Sequence, residues 1–490
     1  MGVAPDPHKG SDSRRVSRTA SVLLGVVTLI AACFVGLPAL FRPRVHGISQ
    51  DVANENSIVY SLKLYRQELP LHAVEGVVYH KSAYYGYINV GSPVVQTFSV
   101  VLDTGSGHLI LPSSWCKTDV CQRHHRYSVK TSPSGKDIDL DGTVVPPGAP
   151  RDQITITFGT GRVTGVFVED EVCLEATTME ADVGQHALLQ QSAQLSKTRA
   201  VEAGSSLPSL FQESAHCPRL RFIAALDLTQ DPFATFLFDG VLGLGLPGLS
   251  QAPEFNFQEV LGSHAGVTSF AVFLAADKSE TSEVTFGGWR PHHLATGASV
   301  QWVNVDDHES GYWTVPVVNL TVDGRMVDFC VNGCQAIVDT GTSLLGTSSE
   351  LGPILRKGLA HTTQVESADA VIACEGPGPL LTIGVGDIIL ELDPIDYGRP
   401  AIAGVDFLGT EPDTELDSLG HQGTSENQSS TAGCIPMIMD IDLPPPLGPK
   451  AIILGEVVLQ KYLTVFDSGK RRVGFGLANH SVRRARRLAE

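Results

Sequence analysis

Three shortages bound the chemistry of this 490-residue chain. No nucleotide-binding glycine pattern and no His or Cys pair at metal-ligand spacing is present, so neither a cofactor nor a metal is expected. Positive charge is scarce: 35 Lys and Arg face 53 Asp and Glu. Residues 1–50 take six of the basic and two of the acidic side chains, leaving 29 against 51 for the rest. An acidic body argues against nucleic-acid binding and suits work at low pH, where carboxylates neutralise and self-repulsion falls. Solubility alone would explain the same charge. Helical patterns are few. Short β-branched and aromatic runs dominate, among them Thr155-Ile156-Thr157-Phe158, Val284-Thr285-Phe286, Trp313-Thr314-Val315 and Ile388-Ile389-Leu390. Gly and Pro punctuate them, which predicts an all-β body. One helix is expected around Phe255 to Gly262.

The N-terminus is built differently. Ala20 to Phe41 is a 22-residue apolar stretch without a charge, long enough to span a bilayer. Arg14, Arg15 and Arg18 precede it, favouring a cytosolic tail (1–19) and a lumenal body. A cleaved signal peptide is the alternative, but the run exceeds a usual h-region and no small-x-small site ends it. A signal anchor over 20–41 is therefore expected, making a single-pass type II membrane protein. Cys33 lies inside that span. The other eight cysteines can form four pairs, for which sequence alone permits 105 connectivities; an oxidising compartment suits them.

Two Asp-Thr-Gly triplets are the most informative feature. One lies in Val100-Val101-Leu102-Asp103-Thr104-Gly105-Ser106, the other in Ala336-Ile337-Val338-Asp339-Thr340-Gly341-Thr342, 236 positions later. Each ends a strand-like run, and each is followed at a distance by two apolar residues and a glycine, Val241-Leu242-Gly243 and Ile453-Leu454-Gly455. A duplicated half-site brings two carboxylates together. Such a pair cannot easily ionise twice, so it holds one proton and can serve as both acid and base; aspartic proteases are the standing example of this chemistry.

In that order of motifs the chain resembles the pepsin family of aspartic peptidases, over roughly residues 77 to 478. Tyr85-Gly86-Tyr87 through Pro93, Ile156-Thr157-Phe158-Gly159-Thr160-Gly161 and Tyr462 to Asp467 also match. The resemblance implies an all-β, bilobal fold with an N-terminal lobe at 77–265, a C-terminal lobe at 266–478, and a basic tail at 479–490. It implies a monomeric endopeptidase acting on proteins or peptides, with Asp103 and Asp339 as the catalytic pair. Gly105 and Gly341 would allow tight turns that bring amides to the carboxylates. Ser106 and Thr342 would donate to outer carboxylate oxygens, and Thr104 and Thr340 would cross-link the two catalytic loops. Phe158, Gly159 and Thr160 fall in the flap hairpin over the substrate. Here the usual flap tyrosine is Phe158, and Ile110 stands where a tryptophan would receive its hydrogen bond, so an apolar contact is expected instead. The family pattern further implies disulfides Cys116–Cys121, Cys330–Cys334 and Cys374–Cys434, which leaves Cys173 for Cys217.

Residues 42–76 form a short leader whose Ile58-Val59-Tyr60-Ser61-Leu62-Lys63-Leu64 alternates like a strand and resembles the opening strand of a pepsin-type prosegment. It is too short and too weakly basic to plug two carboxylates in the manner of a zymogen. Residues 177–216 and 409–433 read as surface loops, and Leu443 to Pro449 as either a stiff connector or a cleft-side loop. The anchor and short leader resemble plasmepsin-like enzymes, and the proline-rich segment resembles cathepsin D-like ones. A catalytically silent binding protein of the same fold is the rival reading; intact Asp103, Asp339, Ser106 and Thr342 weigh against it.

Overall fold

The computed structural model describes residues 60–480 apart from 75–76, 159–160, 175–216, 231–232, 277–278, 308, 332, 366–373, 375, 401–429 and 446. The expected membrane span, the tail before it, the insertion at 177–216 and flap residues Gly159 and Thr160 lie outside the described residues. Among the described residues, no helix is long and apolar enough to cross a membrane.

Strands carry the fold, and the first of them joins its two halves. Tyr60–Val74 is a single strand whose front, Tyr60–Leu64, pairs antiparallel with Ser282–Phe286. Its rear pairs with Val77–Val90. Tyr60, Leu62 and Leu64 alternate into the core while Lys63 and Tyr65 stay exposed, the period of a half-buried strand. The segment expected as a leader therefore contributes a strand to the body. Around it the largest sheet contains 14 strands among the described residues, running from Gln301–Asn304 through both chain halves to Lys136–Ile138.

A second sheet builds the C-terminal half. Its strands run in the order Ile388–Leu392, Leu381–Val385, Thr314–Val322, Cys334–Val338, Ala451–Leu454, Leu345–Thr347, Ile438–Asp440. The edge strand Ile388–Leu392, which contains the apolar run Ile388-Ile389-Leu390, has residues 388, 390 and 392 buried and 389 and 391 exposed. By contrast, Val100, Val101 and Leu102 are buried in succession, as in a strand covered on both faces. The architecture is the all-β, two-part fold expected, with few short helices.

Some boundaries differ from the sequence reading for local reasons. The helix spans Phe257–Ala265 rather than beginning at Phe255, because Pro253–Phe255 forms a 3-10 turn and Asn256 is the cap. The Asn256 side chain accepts the Glu259 N–H at 3.0 Å, and Gly266 ends the helix at φ 69°. The segment 409–433 was expected as loop throughout, yet its last four residues enter the strand Ser430–Pro436, which pairs with His361–Val365.

Candidate active site

Each Asp-Thr-Gly triplet leaves a buried strand and turns above a third strand threaded between its neighbours. In the N-terminal half Gln96–Asp103 runs parallel to Gly240–Gly243, which pairs antiparallel with Leu109–Pro112. In the C-terminal half Cys334–Val338 runs parallel to Ala451–Leu454, which pairs antiparallel with Leu345–Thr347. The register is the same in both: Leu102 lies opposite Leu242, and Val338 opposite Leu454. The glycines that follow have one job. A Cβ on Gly243 would lie 2.5 Å from the His108 nitrogen and 2.7 Å from the Ser106 oxygen. A Cβ on Gly455 would lie 2.3 Å from the carbonyl oxygens of Thr342 and Leu344. Only a residue without a side chain lets the threaded strand pass under the Asp-Thr-Gly turn.

The two turns meet. Thr104 N–H donates to Thr340 Oγ1 at 3.0 Å, and Thr340 N–H donates to Thr104 Oγ1 at 2.9 Å. Each hydroxyl then donates across to the opposite strand, Thr104 to the Val338 carbonyl at 2.9 Å and Thr340 to the Leu102 carbonyl at 2.6 Å. Thr104 is fully buried. This double bridge sets the two carboxylates face to face. Asp103 Oδ1 accepts the Gly105 N–H at 2.9 Å and Asp339 Oδ1 the Gly341 N–H at 2.8 Å. A Cβ on Gly105 would fall 2.9 Å from Asp339 Oδ1, and one on Gly341 2.3 Å from Asp103 Oδ1, so each carboxyl leans over the other turn.

The outer supports are unequal. Thr342 Oγ1 donates to Asp339 Oδ2 at 2.5 Å, as the sequence suggested. Ser106 lowers the Asp103 pKa by its proximity, yet its buried Oγ makes no hydrogen bond of ordinary geometry. Burial, and then the charge of Asp339, push Asp103 up from the usual carboxylate range to about 7; the Ser106 hydroxyl and the Gly105 amide oppose the shift. One carboxyl of the pair therefore keeps its proton under conditions where a free aspartate has lost it.

Residues 83–200 and 213–403 match the model of the eukaryotic aspartyl protease family. The chain belongs to that family. It is similar to cathepsin E of Mus musculus, 29% identical over 442 residues covering 89% of this chain and 88% of the relative. It is also similar to pepsin A of Canis lupus familiaris, 27% identical over 463 residues covering 92% and 98%. The protein is thus an aspartic-type hydrolase.

In this aspartyl protease the segment expected as the flap is a hairpin in which Gln153–Phe158 pairs with the strand beginning at Gly161, Phe158 opposite Gly161. The Phe158 ring lies outside the described residues, so its contact with Ile110 does too. Ile110 itself is buried in a cluster against which Ile154 and Ile156 of the hairpin pack. The same cluster opens into a cavity lined by Ile110, Val163, Leu228, Phe233, Phe236 and Phe238. Val241, also in its wall, pairs with Val101, two residues before Asp103, so this cavity and the Asp103 carboxylate share one face of the sheet. A third carboxylate beside it, Asp239, is occupied structurally: it accepts from the Ser99 amide and hydroxyl at 2.9 and 2.8 Å and from the His125 amide at 2.7 Å.

Tyr312 escaped the sequence reading. Its hydroxyl is held above the usual tyrosine range by burial, and the charges of Asp339 and Asp103 push it the same way. The neighbouring Trp313 is fully buried and donates to the Leu244 carbonyl at 2.9 Å, tying the two halves together next to the site. Only the strand-like texture of Trp313-Thr314-Val315 was visible in sequence.

Four disulfides lie outside the site: Cys116–Cys121, Cys173–Cys217, Cys330–Cys334 and Cys374–Cys434. They fit a lumenal or extracellular setting. His361, Cys374 and Cys434 cluster closely enough to suggest a metal, but both sulfurs are committed to one disulfide and supply no thiolate.

Proposed function

We propose that Asp103 and Asp339 hydrolyse peptide bonds by sharing one proton across the paired turns. The ionised member takes a proton from an attacking water while the protonated member polarises the substrate carbonyl; the proton then passes to the leaving nitrogen. Thr104 and Thr340 fix the separation of the pair, Gly105, Gly341, Ser106 and Thr342 tune it, and Ile110 with Phe158, Gly159 and Thr160 covers the bound peptide. The observation that carries this reading is the reciprocal threonine bridge with Asp103 raised to about 7. Titration belongs to the pair, so acid and base are not assigned to one residue each.

The substrates are proteins or peptides, and the aromatic cavity favours an apolar side chain near the cleaved bond. The catalytic body acts as a monomer at acidic pH in the secretory or endolysosomal system. It is tethered there by a type II span over Ala20–Phe41, which the charge-free run and its preceding arginines support. Turnover of a peptide library, followed by mass spectrometry across pH, tests the activity. Asp339→Asn must abolish it; comparable turnover by that protein, free of contaminating protease, refutes the mechanism. Retention in the membrane fraction after alkaline carbonate washing tests the tether, and a soluble form beginning just after residue 41 refutes it.

A further inference from the structure

The strand Tyr60–Val74 does more than close the sheet. Gln67 on it is 7% exposed and lies opposite Ala83 in the hairpin with Val77–Val90. On that neighbouring strand Tyr85 lies opposite Val101. Because faces alternate with period two, Ala83 shares the face of Tyr85, and Val101 shares the face of Asp103. Gln67 therefore points to the same side of the sheet as the catalytic carboxylate.

What it meets there is the loop that forms the aromatic wall of the cavity. The Leu237 N–H donates to Gln67 Oε1 at 3.0 Å, and Gln67 Nε2 donates to the Thr235 carbonyl at 3.4 Å. One side-chain amide thus grips the backbone on both sides of Phe236, as a β-bridge would. Phe236 stacks on Phe238 at 4.5 Å and meets Phe233 edge-on at 5.8 Å, and all three rings line the cavity. The residue before Gln67 is pinned as well. Arg66 contacts Glu456 at 3.2 Å, and the Glu456 N–H donates to the Thr342 carbonyl in the second catalytic turn. The front of the strand is buried between Ser282–Phe286 and Gly86, where a side chain would strike Leu62 at 2.7 Å.

We propose that Gln67 is a positioning residue for substrate specificity: it sets the Phe236 wall of the cleft, so the strand that carries it stays with the active enzyme rather than being removed as a prosegment. The proposal rests on the peptidase reading of the cleft given above. Without the amide grip, the backbone on either side of Phe236 is held less firmly, and a peptide that inserts an aromatic side chain meets a looser wall. A peptide with alanine there loses little.

The test compares two peptides that differ only in that side chain, aromatic or alanine, on wild type, Gln67→Glu and Gln67→Ala. Glutamate keeps the acceptor for Leu237 and loses the donor to Thr235. The expected order for the aromatic peptide is wild type, then Glu, then Ala, with kcat/KM of the alanine variant down roughly tenfold through KM. The alanine peptide should change little, so the ratio between peptides falls. If Gln67→Ala does not fold, the Gln67→Glu ratio decides. An unchanged ratio in a folded variant overturns the proposal, whatever the absolute rates. So does mass spectrometry showing that the active form begins after Gln67. Failure of the catalytic reading would be seen separately, as turnover by Asp339→Asn.

Discussion

Thr104 and Thr340 exchange backbone and side chain: each N–H donates to the other's hydroxyl, at 3.0 and 2.9 Å, across 236 residues of sequence. The carboxylates one residue before them face each other because of this bridge. Thr104→Val keeps the shape of the side chain but leaves the Thr340 N–H and the Val338 carbonyl without their partners. Each unpaired buried group costs about 1–3 kcal/mol. Stability should fall by that order and kcat should fall with it, whereas Thr104→Ser should restore most of both. Denaturant melts beside single-turnover rates check this; a valine variant with wild-type stability and rate would mean that the bridge is incidental.

The raised Asp103 sets the upper edge of the pH profile. Activity needs one proton on the pair, and burial with the Asp339 charge holds Asp103 at about 7. Turnover should therefore persist through the acid range and fall as pH rises through about 7. For stability the sign follows the same proton. Between the ordinary aspartate value of 3.8 and about 7 the folded state binds more protons than the unfolded one, so this group makes the fold less stable as pH rises. A pH–rate profile with a basic limb near 5, well below 7, would contradict the assignment.

His108 works in the opposite sense. It is buried beside the first catalytic turn, accepts the Gln251 N–H at 3.1 Å through Nε2, and packs edge-on against Phe255. Burial lowers its pKa from 6.5 to about 4. The stability it contributes is full above the unfolded value near 6.5 and is lost as pH falls toward about 4, up to roughly 3 kcal/mol. His108→Asn, which can still accept a hydrogen bond but does not titrate, should flatten that decline. Parallel melts at pH 7 and pH 4.5 read it out; identical pH dependence in the two proteins would remove His108 as the source.

Cys173 and Cys217 close the base of an insertion with their Cα atoms 4.4 Å apart and a sequence separation of 44. The cross-link restricts the unfolded chain, typically worth about 2–4 kcal/mol. Replacing both by serine should lower stability by that order with little change in KM, since neither residue lines the cleft cavity. Non-reducing peptide mapping of the wild type should recover the cross-link. Free thiols at both positions would refute it.

Repetition made the site readable in one dimension. Asp103 and Asp339, the hydroxyls after them, and the glycines at 243 and 455 recur because each half needs a strand end, a turn and a space beneath it, and all three are local demands on residue type. Short β-branched runs such as Ile388-Ile389-Leu390 and the alternating Tyr60, Leu62 and Leu64 announced strands for the same reason. Which residues stand around the pair was not local. Tyr312 feels the charge of both carboxylates, Trp313 reaches the Leu244 carbonyl 69 positions away, and Gln67 reaches Leu237 170 positions away. Nothing in the identity of a glutamine or a tyrosine marks such a role. A side-chain amide can satisfy any free backbone pair it meets, and the pair it meets is settled by how the strands fold over one another.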